Sequence, residues 1–214
     1  MASLLMHLYI GQEYYKKHES EENLDEIVKG SLAPDLAKEK QKAHYGPITA
    51  KPNLKEYLNE NDITDSYQRA YFLHLITDAL FYNYLIDIDK IVEEIGLEEW
   101  RKKYYKDYDS ITASILKKIS IEIPEQVKKF LDVPEGRTEL FKEEDFFNLA
   151  EKLASLDLKK LEANIRNANK CELINLINSI ENRDFNAKQE IIKIDEKCSI
   201  FKKLISKIKK IFEK

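Results

Sequence analysis

The apolar residues of this chain recur with the period of an α-helix along most of its length. The most apolar stretch, residues 70–85 (AYFLHLITDALFYNYL), carries apolar side chains on almost every side. Such a stretch predicts a helix that is buried all round rather than on one face. We expect this central helix to run from Ser66 to about Ile86, after capping candidates that include Asp65.

The same period predicts further helices on both sides of the central helix. They cover residues 3–18, 24–29, 52–61, 88–95, 97–105, 110–119, 143–154, 156–182 and 187–212. Gly30 is expected to end the short helix before it, and Pro34 to hold Asp35 on a stiff turn. No segment alternates as a strand does, and Gly and Pro number only five each, which favours long helices. We therefore predict an all-α fold, a multi-helix bundle around a buried central helix with long C-terminal helices.

The chain length of 214 residues suits either one domain or a domain with an appendage. We assign residues 1–155 to the helical core and residues 156–214 to C-terminal helices packed on it. The last helix, residues 199–214, has an apolar face opposite a lysine-rich face. It either packs on the core, which we favour, or lies on an anionic membrane surface. No secretory signal or membrane-spanning run is evident, so we expect a cytoplasmic protein.

Charge and cysteine content argue against two classes of function. The formal net charge is -4 and no aromatic-basic RNA-binding motif occurs, so nucleic acid is not an expected partner. Cys171 and Cys198 have no C-x-x-C neighbour and no nearby histidine, which argues against a zinc finger or a thiol redox motif.

Two ionisable residues interrupt the apolar central helix. His74 and Asp78 are four positions apart, so their side chains lie on one face, one turn apart. A buried carboxylate needs a partner, because its desolvation is costly. Three interpretations remain open: a hydrogen bond between the two side chains, a metal site, or an acid–base dyad that would also need a nucleophile.

Further candidates lie earlier in the chain. His7 falls on the apolar stripe of the first helix, where Gly11 leaves room one turn later for another backbone or a ligand. Asp35 follows a proline, and His44 follows a charged tract. Taken singly, each has a simpler explanation: His7 as a core histidine, Asp35 as a turn residue and His44 as part of a solvated loop. The complete ordered set is His7, Asp35, His44, His74 and Asp78.

This ordered set resembles the zinc-dependent phospholipase C superfamily, and especially its short bacterial members classed as metal-dependent hydrolases. The motifs that carry the resemblance are S-L-L-M-H at the start of the first helix, G-S-L-A-P-D, K-A-H-Y and F-L-H-L-I-T-D, within about residues 3–110. The resemblance implies a helical bundle with metals held between its helices. It implies one ion bound by Asp35, His44, His74 and Asp78, and a second held by His7 and Asp78, with Asp78 bridging.

The chain also departs from the secreted members of that superfamily. They carry a third site after the central helix and use a free N-terminal amine exposed by processing. No histidine follows His74 in this chain, so the third site is not expected. Asp107 or Asp109, which we expect just before a helix, is a candidate to complete a metal site, although helix capping is the simpler explanation of both.

The chemistry of these donors favours zinc, before Fe²⁺, Mn²⁺ or Ni²⁺, as one or two ions. An open coordination position lowers the pKa of a bound water and yields hydroxide as the nucleophile. Asp35 and Asp78 are the predicted catalytic residues, since either can orient or deprotonate that water. We expect metal-dependent hydrolysis of a phosphoester substrate. The competing hypothesis is a non-catalytic helical binding or structural protein, with a closed metal site or a metal-free His/Asp cluster.

Overall fold

The computed structural model describes residues 3–131 and 138–167, except for the side chains of residues 83 and 84. Within these ranges it contains ten α-helices and no strand, which confirms the all-α fold class. The helices are α1 (Leu4–His18), α2 (Leu24–Leu36), α3 (Lys40–Ala43), α4 (Leu54–Glu60), α5 (Ser66–Leu80), α6 (Ile88–Ile95), α7 (Leu97–Leu116), α8 (Glu125–Lys128), α9 (Glu143–Ala154) and α10 (Leu158–Asn167). None of these helices is both long enough and apolar enough to cross a membrane.

Helix α5 is the buried central helix that the apolar pattern predicts. Asp65 caps it by accepting a hydrogen bond from the backbone N–H of Gln68 at 2.8 Å. Every residue from Phe72 to Leu80 is buried, which confirms that the helix is covered on all sides. A π-helical turn, Phe81–Leu85, then takes the place of the predicted last α-helical turn. Helices α1, α2 and α4 all pack against α5.

Two predicted helix boundaries are wrong. Helix α2 does not end at Gly30 but continues through Pro34 to Leu36. Pro34 cannot donate a backbone N–H to the carbonyl of Gly30, so α2 loses one hydrogen bond there, but the fixed φ of proline is close to that of a helix. Asp35 therefore lies in the last turn of α2 and not on a separate stiff turn as predicted. The helices predicted at residues 97–105 and 110–119 form the single helix α7.

The C-terminal predictions fall mostly beyond the described part of the chain. Helix α10 begins at Leu158, inside the helix predicted for residues 156–182. The rest of that helix, the helix predicted for residues 187–212 and both cysteines lie outside the described residues. The packing of residues 156–214 on the core therefore stays a prediction.

A buried ion pair fastens the start of α5 to the connection between α1 and α2. The guanidinium of Arg69 donates to both carboxylate oxygens of Glu22, from Nε at 2.6 Å and from Nη2 at 2.8 Å. It also donates to the carbonyl oxygen of Thr64 at 2.7 Å. Because both charges are largely withdrawn from water, this bidentate pair fixes the position of α5 against α1 and α2.

Two glycines allow these three helices to approach closely. A Cβ atom on Gly11 of α1 would lie 2.3 Å from Oγ of Ser31, so α2 fills the room that this glycine leaves. A Cβ atom on Gly30 of α2 would lie 2.3 Å from the carbonyl oxygen of Tyr67 and 2.8 Å from Cβ of Ala70, both on α5. The glycine predicted to end a helix therefore serves helix packing instead.

We predict that Gly30→Ala lowers the free energy of unfolding by about 1–3 kcal/mol, because the added methyl group meets backbone that cannot move aside. Chemical denaturation measures this loss. The exposed neighbour Lys29 provides the control, since Lys29→Ala should change stability by less than about 0.5 kcal/mol. An unfolding free energy for Gly30→Ala at or above that of the parent chain would contradict the close contact.

Candidate metal centre

The five predicted site residues converge on one buried cluster, called here the His/Asp cluster. Their relative exposures run only from 0 to 3%. Its members are His7 from α1, Asp35 from α2, His44 directly after α3, and His74 and Asp78 from α5. The structure thus brings together side chains that are far apart in sequence. Their roles as metal ligands or catalytic groups stay a prediction.

Two of the imidazoles have their ring hydrogens fixed by backbone carbonyls. Nδ1 of His44 lies 2.6 Å from the carbonyl oxygen of Lys40, and Nδ1 of His74 lies 2.8 Å from that of Ser31. A carbonyl oxygen can only accept a hydrogen bond, so Nδ1 carries the hydrogen in both rings. Each neutral ring therefore presents the lone pair of Nε2 to the cluster.

Those two Nε2 atoms face each other at 3.2 Å. Two lone pairs at this distance repel each other unless a positively charged species lies between or beside them. A metal ion bound by both nitrogens satisfies this requirement, and so does a proton shared between the two rings. The geometry of His44 and His74 therefore calls for a cation.

Asp78 is the carboxylate that joins the histidines. Its oxygens lie 3.3 Å from Nε2 of His7, 3.1 Å from Nε2 of His44 and 3.6 Å from Nε2 of His74. Burial by itself raises the pKa of Asp78, but the imidazoles, His7 foremost, outweigh it and hold the pKa well below its usual range. Asp78 therefore remains ionised inside the core and adds negative charge to the cluster.

The pKa values of His7 and His74 shift in opposite directions in the same surroundings. Burial, assisted by the neighbouring His74, lowers the pKa of His7, although Asp78 opposes this. Burial also acts to lower the pKa of His74, but the hydrogen bond and charge of Asp78 outweigh it, so the pKa is raised. The rings of His7 and His74 stack with their centroids 3.6 Å apart. His7 is therefore held neutral, as a metal-binding imidazole must be.

Several nitrogen and oxygen atoms of the cluster that could bind a metal make no hydrogen bond among the described residues. Nδ1 of His7 and Oδ1 of Asp35 have no hydrogen-bond partner among the described residues, and Nε2 of His7 makes a 3.3 Å contact with Asp78 that is not a well-aligned hydrogen bond. Two sets of donors lie close enough to hold an ion: His7, Asp35 and His74, and His44, His74 and Asp78. Within each set the donor atoms lie within 4.8 Å of one another. Imidazole nitrogens and carboxylate oxygens of this kind fit a transition-metal ion.

Local structure explains how His44 reaches the cluster, although it lies outside α1, α2 and α5, the helices that carry the other four members. The hydroxyl of Tyr71 on α5 donates a hydrogen bond to the carbonyl oxygen of Ala43 at 2.7 Å. The next residue along the chain, Tyr45, adopts a left-handed conformation with φ of 56°. That conformation turns the chain away directly after His44, which stays against α5.

Asp107 does not join the cluster. It lies inside α7, not before a helix, and its carboxylate accepts hydrogen bonds from the backbone N–H groups of Glu139 and Leu140 at 2.6 and 2.7 Å. Asp109 also lies within α7 and belongs to neither set of donors. The expectation that these aspartates precede a helix is wrong, because α7 runs without a break. Asp107 instead anchors the segment before α9.

A cleft of about 480 Å³ lies beside the cluster, and Asp35 belongs to both. We call it the α7 cleft. Its walls come from the start of α1, the end of α2, the start of α3, α7 and the segment around α8. Besides Asp35 and residues of α1, they include Lys40, Thr49, Trp100, Arg101, Tyr104, Tyr105, Tyr108, Asp109, Thr112, Val127, Phe130 and Leu131. Sequence reasoning missed this cleft. The available signal was the aromatic and basic run WRKKYYKDY, residues 100–108.

No family model, curated protein or solved structure matches this chain. The described residues thus establish an all-helical protein with a buried His/Asp cluster that could hold a metal ion. The resemblance to the phospholipase C superfamily is carried by its motifs alone.

We predict that Asp107→Asn lowers the free energy of unfolding by about 1–3 kcal/mol, because an amide cannot replace a carboxylate that accepts two backbone N–H groups. The metal content of the purified protein should not change. Thermal or chemical unfolding and elemental analysis measure the two outcomes. Asp25→Asn, at an exposed site on α2, is the control and should be nearly neutral. Loss of metal in Asp107→Asn would place this aspartate in the metal centre after all.

Proposed function

We propose that this protein is a metal-dependent hydrolase of phosphate esters, with zinc as its metal. The observation that carries the proposal is the pair of opposed Nε2 atoms of His44 and His74, 3.2 Å apart, whose Nδ1 hydrogens are both engaged elsewhere. Asp78 supplies negative charge to the same point. The zinc-dependent phospholipase C-like superfamily remains the proposed family, on its ordered motifs.

The proposed ligand assignment takes the first ion from one of the two sets of donors and the second ion from the contact between His7 and Asp78. His44, His74 and Asp78 form one set, with Asp35 contributing because its Oδ1 lies 3.6 Å from Nε2 of His44. A second ion would be held by His7 and by Asp78 as the bridge between the two. The two sets of donors share His74, which can give Nε2 to only one ion at a time. We therefore propose that the first ion binds more tightly than the second.

Bound zinc supplies a Lewis acid and a water of lowered pKa, which together suit attack on a phosphorus centre. The protein's own contribution is to place one carboxylate at the border between metal and cleft. Asp35 is 3% exposed, lines the α7 cleft and lacks a hydrogen-bond partner on Oδ1 within the described residues. Asp35 is therefore the proposed general base, while Asp78 holds the imidazoles in place.

One observation favours the second candidate, a non-catalytic protein with a closed metal site. All five side chains of the cluster are almost fully buried, as ligands of a structural metal are. A metal-free form of this candidate is also consistent with the geometry, since the raised pKa of His74 suits a proton shared with His44. Of the five cluster side chains, Asp35 alone lines the cleft formed by the described residues.

We predict that His74→Ala and His44→Gln each reduce the metal content of the purified protein to near zero. The rate of hydrolysis of bis(4-nitrophenyl) phosphate should fall about a hundredfold or more, because loss of a direct metal ligand should reduce activity at least as much as loss of a residue that supports a ligand. Elemental analysis, a chromogenic assay and far-ultraviolet circular dichroism measure metal, rate and fold. His18→Ala is the matched control, since His18 lies at the end of α1 outside the cluster. Full metal content in both cluster variants would refute the assigned centre.

A cobalt-substituted protein should separate the two candidates. If the metal has an open position, inorganic phosphate should shift the visible absorption of bound Co²⁺, because an added ligand changes the coordination number. The same titration with chloride at equal ionic strength is the control. A spectrum that stays unchanged up to saturating phosphate would favour the closed, non-catalytic site.

A further inference from the structure

We propose that the α7 cleft binds the aromatic substituent of a small anionic phosphoester or phosphonate. The inference rests on the proposed function, because it names the substrate class of the same site. It concerns residues of α3, α7 and the segment around α8 that lie outside the His/Asp cluster.

The first support is the aromatic character of the cleft. Trp100 and Tyr104 stack with ring centroids 4.8 Å apart, and Tyr108 lies 4.1 Å from Tyr104. At the rim, Tyr105 is 63% exposed and Phe130 is 70% exposed, although both are large apolar side chains. Exposed rings next to a buried stack are a surface on which a further flat ring can stack.

The second support is a buried donor without an acceptor. Trp100 is 7% exposed and lines the cleft, and its Nε1 has no hydrogen-bond partner in the part of the chain that the structure describes. A buried indole N–H normally finds an acceptor, because leaving it unpaired costs free energy. An oxygen of a bound phosphoester in the cleft supplies that acceptor.

The third support is the distribution of charge. Lys40 and Arg101 line the cleft, and neither pairs with a carboxylate within the described residues. Two carboxylates, Asp35 and Asp109, also line it. A metal ion in the cluster would compensate Asp35, so the cleft beside it would favour an anion. The phosphate is therefore expected between the two basic side chains and the cluster.

The size of the cleft limits the ligand. A volume of about 480 Å³ lies at the lower end of the usual range for small-molecule sites. It has room for one phosphate group and a ring system. The aromatic substituent therefore occupies the space between Trp100 and Phe130, and the phosphate faces Asp35.

A binding experiment tests the proposal without any need for turnover. The chain contains one tryptophan, Trp100, so its fluorescence reports directly on the cleft. We expect phenylphosphonate to quench this fluorescence and to bind about tenfold more tightly than methylphosphonate, because only the former can stack. Equal affinities for the two phosphonates would overturn the proposal. Tighter binding of monomeric dihexanoyl phosphatidylcholine than of phenylphosphonate would also overturn it, in favour of an acyl chain.

Two variants with matched controls locate the contacts. Phe130→Ala should weaken phenylphosphonate binding about threefold to tenfold and leave methylphosphonate binding unchanged. Ile48→Ala removes another exposed apolar side chain, which does not line the cleft, and should change the binding of neither phosphonate. Arg101→Gln should weaken both phosphonates about threefold to tenfold, whereas Lys102→Gln on the same helix should not. If Phe130→Ala binds both phosphonates as tightly as the parent protein does, the proposed contact between Phe130 and the aromatic ring of the ligand is excluded.

Repeating the titrations after treatment with a chelator distinguishes failure of this inference from failure of the proposed function. The preference for phenylphosphonate over methylphosphonate should persist without metal, because it comes from the aromatic wall. If the preference is present but no phosphoester is hydrolysed, the cleft assignment holds and the hydrolase proposal fails. If phosphoesters are hydrolysed but the preference is absent in both conditions, this inference fails alone.

Discussion

The opposed imidazoles of His44 and His74 impose the strongest physical constraint in the described structure. Nδ1 of each ring donates a hydrogen bond to a backbone carbonyl, so a neutral ring has no hydrogen on Nε2 with which to donate to the other ring. Repulsion between the two lone pairs is removed only by a cation. Asp78, ionised and buried next to them, adds the negative charge that makes a cation favourable.

The helix packing around the cluster follows from a few small and charged residues. Gly11 and Gly30 bring α1, α2 and α5 close enough for side chains from all three to reach one point. The buried pair of Arg69 and Glu22 then fixes α5 at its first turn, away from the cluster. Close packing and a charge-assisted bond, both near the start of α5, limit how far the ligands can drift, which is what a metal centre would require.

Sequence periodicity was sufficient to predict the class of fold and the buried central helix. The five side chains that converge were predicted from their ordered motifs and from the resemblance that those motifs carry. The informative signal was the presence of His74 and Asp78 in a helix predicted to be buried on all sides, because buried ionisable groups need partners. The path of α2 was mispredicted because Gly30 has two physical uses, and only the neighbouring helix shows which applies. The hydrogen bonds that the backbone carbonyls of Ser31 and Lys40 accept from His74 and His44 cannot be predicted from sequence, because every residue has such a carbonyl. The α7 cleft likewise depends on tertiary contacts among aromatic residues that are also good core formers.

The position of the cluster bears on whether it serves stability or chemistry. It interrupts the most buried helix of the described bundle, where apolar side chains of similar volume would avoid the cost of desolvating Asp78 and the imidazoles. A cluster retained for stability alone would gain nothing from a member that borders a cleft. Asp35 is such a member, and it faces a cleft that also presents Lys40, Arg101 and an unpartnered indole N–H within the described residues. Placing one cluster carboxylate at the edge of an aromatic cleft that also carries two basic side chains is an arrangement that a catalytic metal could use and a purely structural metal does not need.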